Sequence, residues 1–334
     1  MTLLVAFAKA TVNADEQFNA PDADLVLRCS DGIHFAVHRA ILRLASPVFR
    51  DMLSLPQPSV NDSVVSMSED SQTLRTLLRF IYPRSFCAEP NLSELADIKR
   101  AAGLARKYDI QFMRDAAEKA LVALADSQPE IAYVVAWKYE YPIALRAAAR
   151  RYLEPHESSS HDPDYDEVPA TAFKRLLEYS DKVPSALEEL LTDGRDEEHP
   201  ITWIRPNYAW WSEQDKPESV GFEEGNAHMC LTEVTWYRGD SAAESHHAAV
   251  SSWWWTYVRA VVRLVQSRAR PSLEDALRQP LVNTDARQQL AGCESCRLRV
   301  EYGLLDWTKQ HLRAEIERRL DEIPIDAPFM RSEI

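Results

Sequence analysis

Glycine is scarce in this chain, at eight in 334 residues. No group of them forms a P-loop or a G-x-G-x-x-G turn, the arrangements that let backbone amides close around phosphates. That removes the common nucleotide-handling folds. The helical zinc-hydrolase pattern H-E-x-x-H and the nucleophile elbow G-x-S-x-G are missing as well. The expectation is a protein that is not an enzyme. Cysteine is also sparse: five is an odd number, irregularly spaced, and does not make a disulfide framework, which points to a reducing compartment. Basic charge is the third shortage. With 38 basic against 52 acidic side chains the net charge is −14, a surface that repels phosphate backbones and anionic lipid. No apolar run approaches the roughly 20 residues of a bilayer span. The opening MTLLVAFAKA has an apolar core without a preceding basic residue, so it reads as a docking helix or a frayed end rather than a signal peptide. Together these absences predict a soluble intracellular protein, cytoplasmic or nuclear, with no direct contact to nucleic acid or membrane.

What is present is ordinary globular material, 46% hydrophobic and 27% charged, long enough for two or three domains. Near the start, DLVLRC and IHFAV flank Asp31-Gly32, a two-residue hairpin signal. HRAILRLA follows with helical periodicity. SPVFRDMLSL then opens with Ser46 as N-cap and Pro47 at the first helical position. SVVSM reads as a third strand, and SEDSQTLRTLLRFIY as a capped helix with Leu74, Leu77, Leu78 and Ile81 on one face. Helices are expected at about 92–108 and 110–124, split near Tyr108-Asp109. The first 125 residues are therefore expected to be α+β, a three-stranded sheet beside about five helices.

The sequence then echoes itself. ARKYDIQFMRDAAEKAL at 105–121 is matched by AWKYEYPIALRAAARRYL at 136–153, which predicts one helix-pair unit used twice. EPHESSSHDPDYDEVP at 154–169 is acidic and turn-rich and reads as an exposed linker. ATAFKRLLEYSDKV and SALEELL read as two further helices, and from 192 to 250 the pattern weakens. SWWWTYVRAVVRLVQ puts Trp254, Tyr257, Val258, Val261, Val262 and Val265 on one face, with Trp253 and Trp255 flanking it. CRLRVEYGLLDWTKQHLRAEIERRL reads as one closing helix folded back on the Trp helix. The core of this last part is expected to include Trp203, Trp210, Trp211 and Trp236 as well.

Two constellations carry candidate chemistry. In CESC, Cys293 and Cys296 have the spacing to wrap one tetrahedral zinc ion, with His228 and Cys230 of HMC as candidates for the other two ligands; the alternative is that both cysteines cap and pack a helix start. His34 with His38 and His246 with His247 lack helical ligand geometry. The second constellation is His38-Arg39, a polar pair inside an apolar run. Such groups are costly unless partnered. His38 is expected to serve the core, while the guanidinium fork of Arg39 is placed to meet the carboxylate of Asp24.

Residues 22–124 resemble a BTB/POZ domain, through Asp24 at the head of the first strand, HRAIL, SPVFRDML, SEDSQTLRTLLRFIYP and ARKYDIQFMRDAAEKAL. The likeness is closest to fungal BTB proteins with a helical C-terminal extension. It implies an N-terminal segment at 1–21, a BTB/POZ domain at 22–125, a helix-pair extension at 126–192 and a Trp-rich, mainly helical domain at 193–334. It also implies a non-enzymatic interaction scaffold that homodimerises, with Asp24, His38 and Arg39 at the dimer interface or a partner groove. A second family role is substrate adaptor of a cullin-type ubiquitin ligase, although SLPQPSVNDS stands where cullin binders carry a hydrophobic-x-Glu signature. A third reading is a transcription-associated module, bound to transcriptional regulators, with zinc in its C-terminal part.

Overall fold

The computed structural model describes residues 14–55, 64–156, 163–188, 190, 231–237, 245–267, 271–281, 285–301 and 303–330. The chain divides into two compact units, Met1–Ala148 with Ser159–Val168, and Ala149–Ser158 with Pro169–Ile334.

In the first unit, β1 (Ala14–Asn19), β2 (Leu25–Arg28), β3 (His34–Val37) and β4 (Val64–Ser66) form one sheet in the order β1-β3-β2-β4. Alternation makes the central hairpin: Leu25 and Leu27 on β2 and Phe35 and Val37 on β3 are buried, and the strands pair antiparallel from Leu25↔Val37 to Arg28↔His34. Its turn is longer than the expected Asp-Gly pair. Cys29 N–H donates to Ile33 O (2.9 Å), Gly32 N–H donates to Cys29 O (3.0 Å), and Gly32 takes the left-handed conformation (φ 83°) that lets a three-residue loop close. β4 runs parallel to β2 as the expected third strand.

β1 is a fourth strand beyond the three expected, and its sequence hides it. Its buried positions are Asp15 and Phe18, three apart, so period-two alternation fails. The register slips, with Ala14 opposite His34 and Asn19 opposite Ala36. Asp15 is tolerated in the interior because its Oδ1 accepts the amides of Gln17 and Phe18 and its Oδ2 accepts Arg75 Nε (3.0 Å) and Nη2 (2.5 Å).

Helices α1 (Arg39–Ala45) and α2 (Pro47–Met52) meet at Ser46, whose Oγ accepts the Phe49 amide and donates to Tyr108 O (2.5 Å). α3 (Ser71–Ile81) is capped by Asp70 and buries Leu74, Leu77, Leu78 and Phe80. The echoed units are α4 (Leu95–Tyr108) with α5 (Gln111–Leu124), and α6 (Pro129–Tyr139) with α7 (Pro142–Tyr152), the last crossing the unit boundary. The one-turn α8 (Asp164–Glu167) returns to the first unit. This corrects the reading of 154–169 as wholly exposed, since Asp164 and Val168 are buried.

In the second unit, α9 (Ala170–Glu188) is a single helix where two were expected. Pro184 lies inside it, at a cost of about 3 kcal/mol, yet Ala172, Leu176, Tyr179, Val183 and Leu187 keep one buried face through it. The hairpin β5 (Leu231–Tyr237) and β6 (Ser245–Ser251) runs directly into α10 (Ser252–Gln266). α10 buries the expected face, and Trp253 and Trp255 with it. Trp203, Trp210 and Trp211 lie outside the described residues. α11 (Leu273–Arg278) and α12 (Asp285–Ala291) follow. The expected closing helix is two, α13 (Glu294–Glu301) and α14 (Leu304–Asp321), because Gly303 adopts φ 96° between them. α14 does fold back on α10: Trp254 Nε1 donates to Thr308 Oγ1 (2.9 Å), which donates to Leu304 O (2.7 Å).

Candidate functional site

The His38-Arg39 pair sits where β3 gives way to α1. The first amides of a helix have no partner within it, and His38, at the N-cap, makes no side-chain capping bond. Asp24, just ahead of β2, supplies one: its Oδ1 accepts the Arg39 N–H at 2.7 Å. Arg39 Nε in turn donates to the Asp24 carbonyl oxygen at 3.4 Å. The expected meeting of these residues is present, with one change. The carboxylate is taken by the Arg39 backbone, and the guanidinium reaches Asp24 main chain. Asp24 is exposed and Arg39 half-buried, so this junction borders solvent.

His38 faces inward. Its backbone N–H donates to the Tyr82 hydroxyl (2.9 Å), its Nδ1 lies 3.0 Å from the same oxygen, and its Nε2 lies 3.5 Å from the Asp22 carboxylate. Tyr82 is buried against Phe18 and Phe86, and burial pushes its hydroxyl up to about 12, so it stays protonated. Asp24, His38 and Arg39 therefore form one latch, in which Tyr82 is the partner that sequence reasoning missed. A tyrosine closing the apolar face of a helix just before Pro83 was the available signal.

Three large apolar side chains lie exposed shortly after the latch in the chain: Leu44 at 90% on α1, Val48 on α2, and Leu55 just past the end of α2. They account for three of the eight such residues among those described, all within one short stretch.

The metal candidates divide. Cys293 precedes the first residue of α13, where its carbonyl accepts the Arg297 N–H, and Cys296 is buried on that helix. His228 and Cys230 lie outside the described residues. Among the described residues, no three His, Cys, Asp or Glu side chains gather as a metal site.

Besides Asp15, two further buried carboxylates were not foreseen. Glu69 pairs with Lys107, and Asp164 with Lys99 (2.9 Å) and Lys138 (2.8 Å). Burial raises both carboxyls, yet hydrogen bonds from Lys107 and Tyr108 to Glu69, and from Lys138 and Lys99 to Asp164, outweigh it and hold each below its ordinary value. Lys107 and Lys138 occupy equivalent positions of the echo, a signal that was legible.

The sheet order, the Ser46 junction and the α4–α5 pair together lie in one continuous stretch. Residues 15–124 match the BTB/POZ domain. The match spans about a third of the chain and takes in β1, ahead of the expected start at residue 22. The first part of the chain is thus a BTB/POZ protein-interaction module followed by additional helices. No curated protein matches the chain. No helix among the described residues is long and apolar enough to cross a membrane.

Proposed function

We propose that this protein is a non-enzymatic scaffold that pairs with a second copy of itself through the BTB/POZ domain and presents its C-terminal part to other proteins. The observation that carries the reading is Leu44: a leucine at 90% exposure on α1, with Val48 and Leu55 close by in the chain, beside the Asp24–Arg39 junction. Exposed apolar side chains of this kind gain by burial against a partner, with charged neighbours at the rim selecting the register. The closed latch fixes α1, so the surface is ready before a partner arrives.

Light scattering of the full chain at micromolar concentration tests the pairing. The expected mass is that of two chains, falling to one in Leu44→Glu; a one-chain mass for the wild type overturns it. Affinity capture from native cells, with and without residues 1–125, then names the partners. A cullin scaffold lost on truncation makes the protein a ligase adaptor, and transcriptional regulators retained on truncation place it in gene control. One metal equivalent per chain, with loss of folding on chelation, would instead favour the C-terminal zinc reading.

A further inference from the structure

Residues 163–168 lie outside the BTB/POZ match, yet they belong to the first unit as part of its segment Ser159–Val168, while Ala149–Ser158 before that segment and the chain from Pro169 onward belong to the second. What holds this short return is an ion cluster. Asp164, 3% exposed, has Lys99 Nζ and Lys138 Nζ within 2.9 Å and 2.8 Å of its carboxylate, and Glu167 lies 2.5 Å from Lys138 Nζ. A single helical turn has almost no stability of its own, so α8 stays folded because of what it touches. The two lysines, by contrast, stand on the long helices α4 and α6, which bury apolar residues of their own, with α5 packed on both as well. Without Asp164 and Glu167, Lys138 would lose both carboxylates within reach of its ammonium group and Lys99 would lose one, which favours an incoming anion. The present occupant shows which anion fits: carboxylates three residues apart on one helical turn, in the sequence Pro-Asp-Tyr-Asp-Glu.

We propose that Lys99 and Lys138 form a binding site for acidic peptides, and that residues 163–167 occupy it as an autoinhibitory strap. A competing peptide with carboxylates at the Asp164 and Glu167 positions displaces the strap and takes over both lysines. Because the strap is tethered, it competes at an effective concentration on the order of millimolar, and the intact chain binds such peptides weakly until the strap is released.

The probe is a fluorescein-labelled peptide HDPDYDEVPA, the sequence of residues 161–170, titrated into the full chain and read by anisotropy. The chain carrying Asp164→Asn and Glu167→Gln is expected to bind it at least tenfold more tightly than the wild type, and a further Lys138→Met to abolish the gain. Equal affinity for the folded variant and the wild type overturns the proposal. Hydrogen exchange on the wild-type chain gives a second reading that needs no variant. Millimolar unlabelled peptide is expected to speed exchange at 163–168 at least threefold, while α3 and α5 stay unchanged. No acceleration overturns the strap, and equal acceleration by inorganic phosphate overturns the assignment to peptides.

Discussion

The pair α4–α5 and the pair α6–α7 are the same idea carried out twice. Each first helix ends in Lys-Tyr, followed by a non-glycine residue in the left-handed conformation, Asp109 (φ 52°) or Glu140 (φ 61°). Each then closes its last turn with an amide reaching back five residues, Ile110 N–H to Ala105 O (3.0 Å) and Tyr141 N–H to Ala136 O (2.9 Å). Each second helix starts with one apolar residue exposed, Phe112 or Ile143. The surroundings differ. α4 buries one face, whereas α6 is buried from Ile131 through Trp137, with α4, α5 and α8 all touching it. Lys107 stays half exposed over Glu69, while Lys138, 23% exposed, is shut in by Asp164 and Glu167. The repeat encodes the turn between its helices. What covers those helices comes from elsewhere in the chain.

The largest test of that contrast is at the equivalent positions Arg106 and Trp137. Trp137→Ala removes a buried ring and is expected to cost about 3–5 kcal/mol, whereas Arg106→Ala, at a side chain 59% exposed, is expected to stay within about 0.5 kcal/mol. Urea unfolding of the first unit reads both, and equal losses would erase the distinction between the helices. The buried acids come next. Asp164→Asn leaves two shielded lysines short of a charge and is expected to cost about 2–3 kcal/mol, against about 1 kcal/mol for Glu69→Gln, whose partner Lys107 is 48% exposed. The reverse order would mean that the strap adds less than the Glu69–Lys107 pair does.

Acid sharpens the same comparison. Both carboxyls titrate below their ordinary values of 4.5 for Glu69 and 3.8 for Asp164, so the folded state binds their protons less readily than the unfolded chain. Their stabilisation is complete above those values and is lost as the pH falls through the folded ones. The first unit should therefore weaken below about pH 4.5, and Asp164→Asn should flatten the lower part of that decline; an unchanged slope would remove Asp164 from the account. The smallest effect is at the left-handed residues. Glu140→Gly and Asp109→Gly relieve a conformation that costs a side-chain-bearing residue roughly 1 kcal/mol. Each should raise the unfolding midpoint slightly, with Glu140 gaining more because aspartate tolerates that region better. A loss in either would show that its side-chain contacts outweigh the strain.

Much of the first unit was legible because its signals are local. Ser46-Pro47 starts α2, Asp70 caps α3, and alternation marks the β2–β3 hairpin. The meeting of Asp24 with Arg39 was legible as well, since both flank one hairpin. The partner atoms were not, because a backbone amide at a helix start competes for the same carboxylate as the guanidinium. β1 was hidden because its key interior residue is an aspartate, acceptable only once Arg75 reaches it from sixty residues away. The uninterrupted α9 was hidden for the opposite reason: a strong local breaker, Pro184, is overruled by packing along the rest of its face.

By itself the sequence determined the starts of α2 and α3, the β2–β3 hairpin, the duplicated Lys-Tyr turn, the acidic net charge and the BTB/POZ pattern, because periodicity, caps and turn residues act over a few positions of chain. The tertiary structure decided the fate of the polar groups. Which carboxylate enters the core, which lysine follows it and whether an acidic stretch floats or docks all depend on partners brought together from distant parts of the chain. Burial makes those charge pairings costly to leave incomplete.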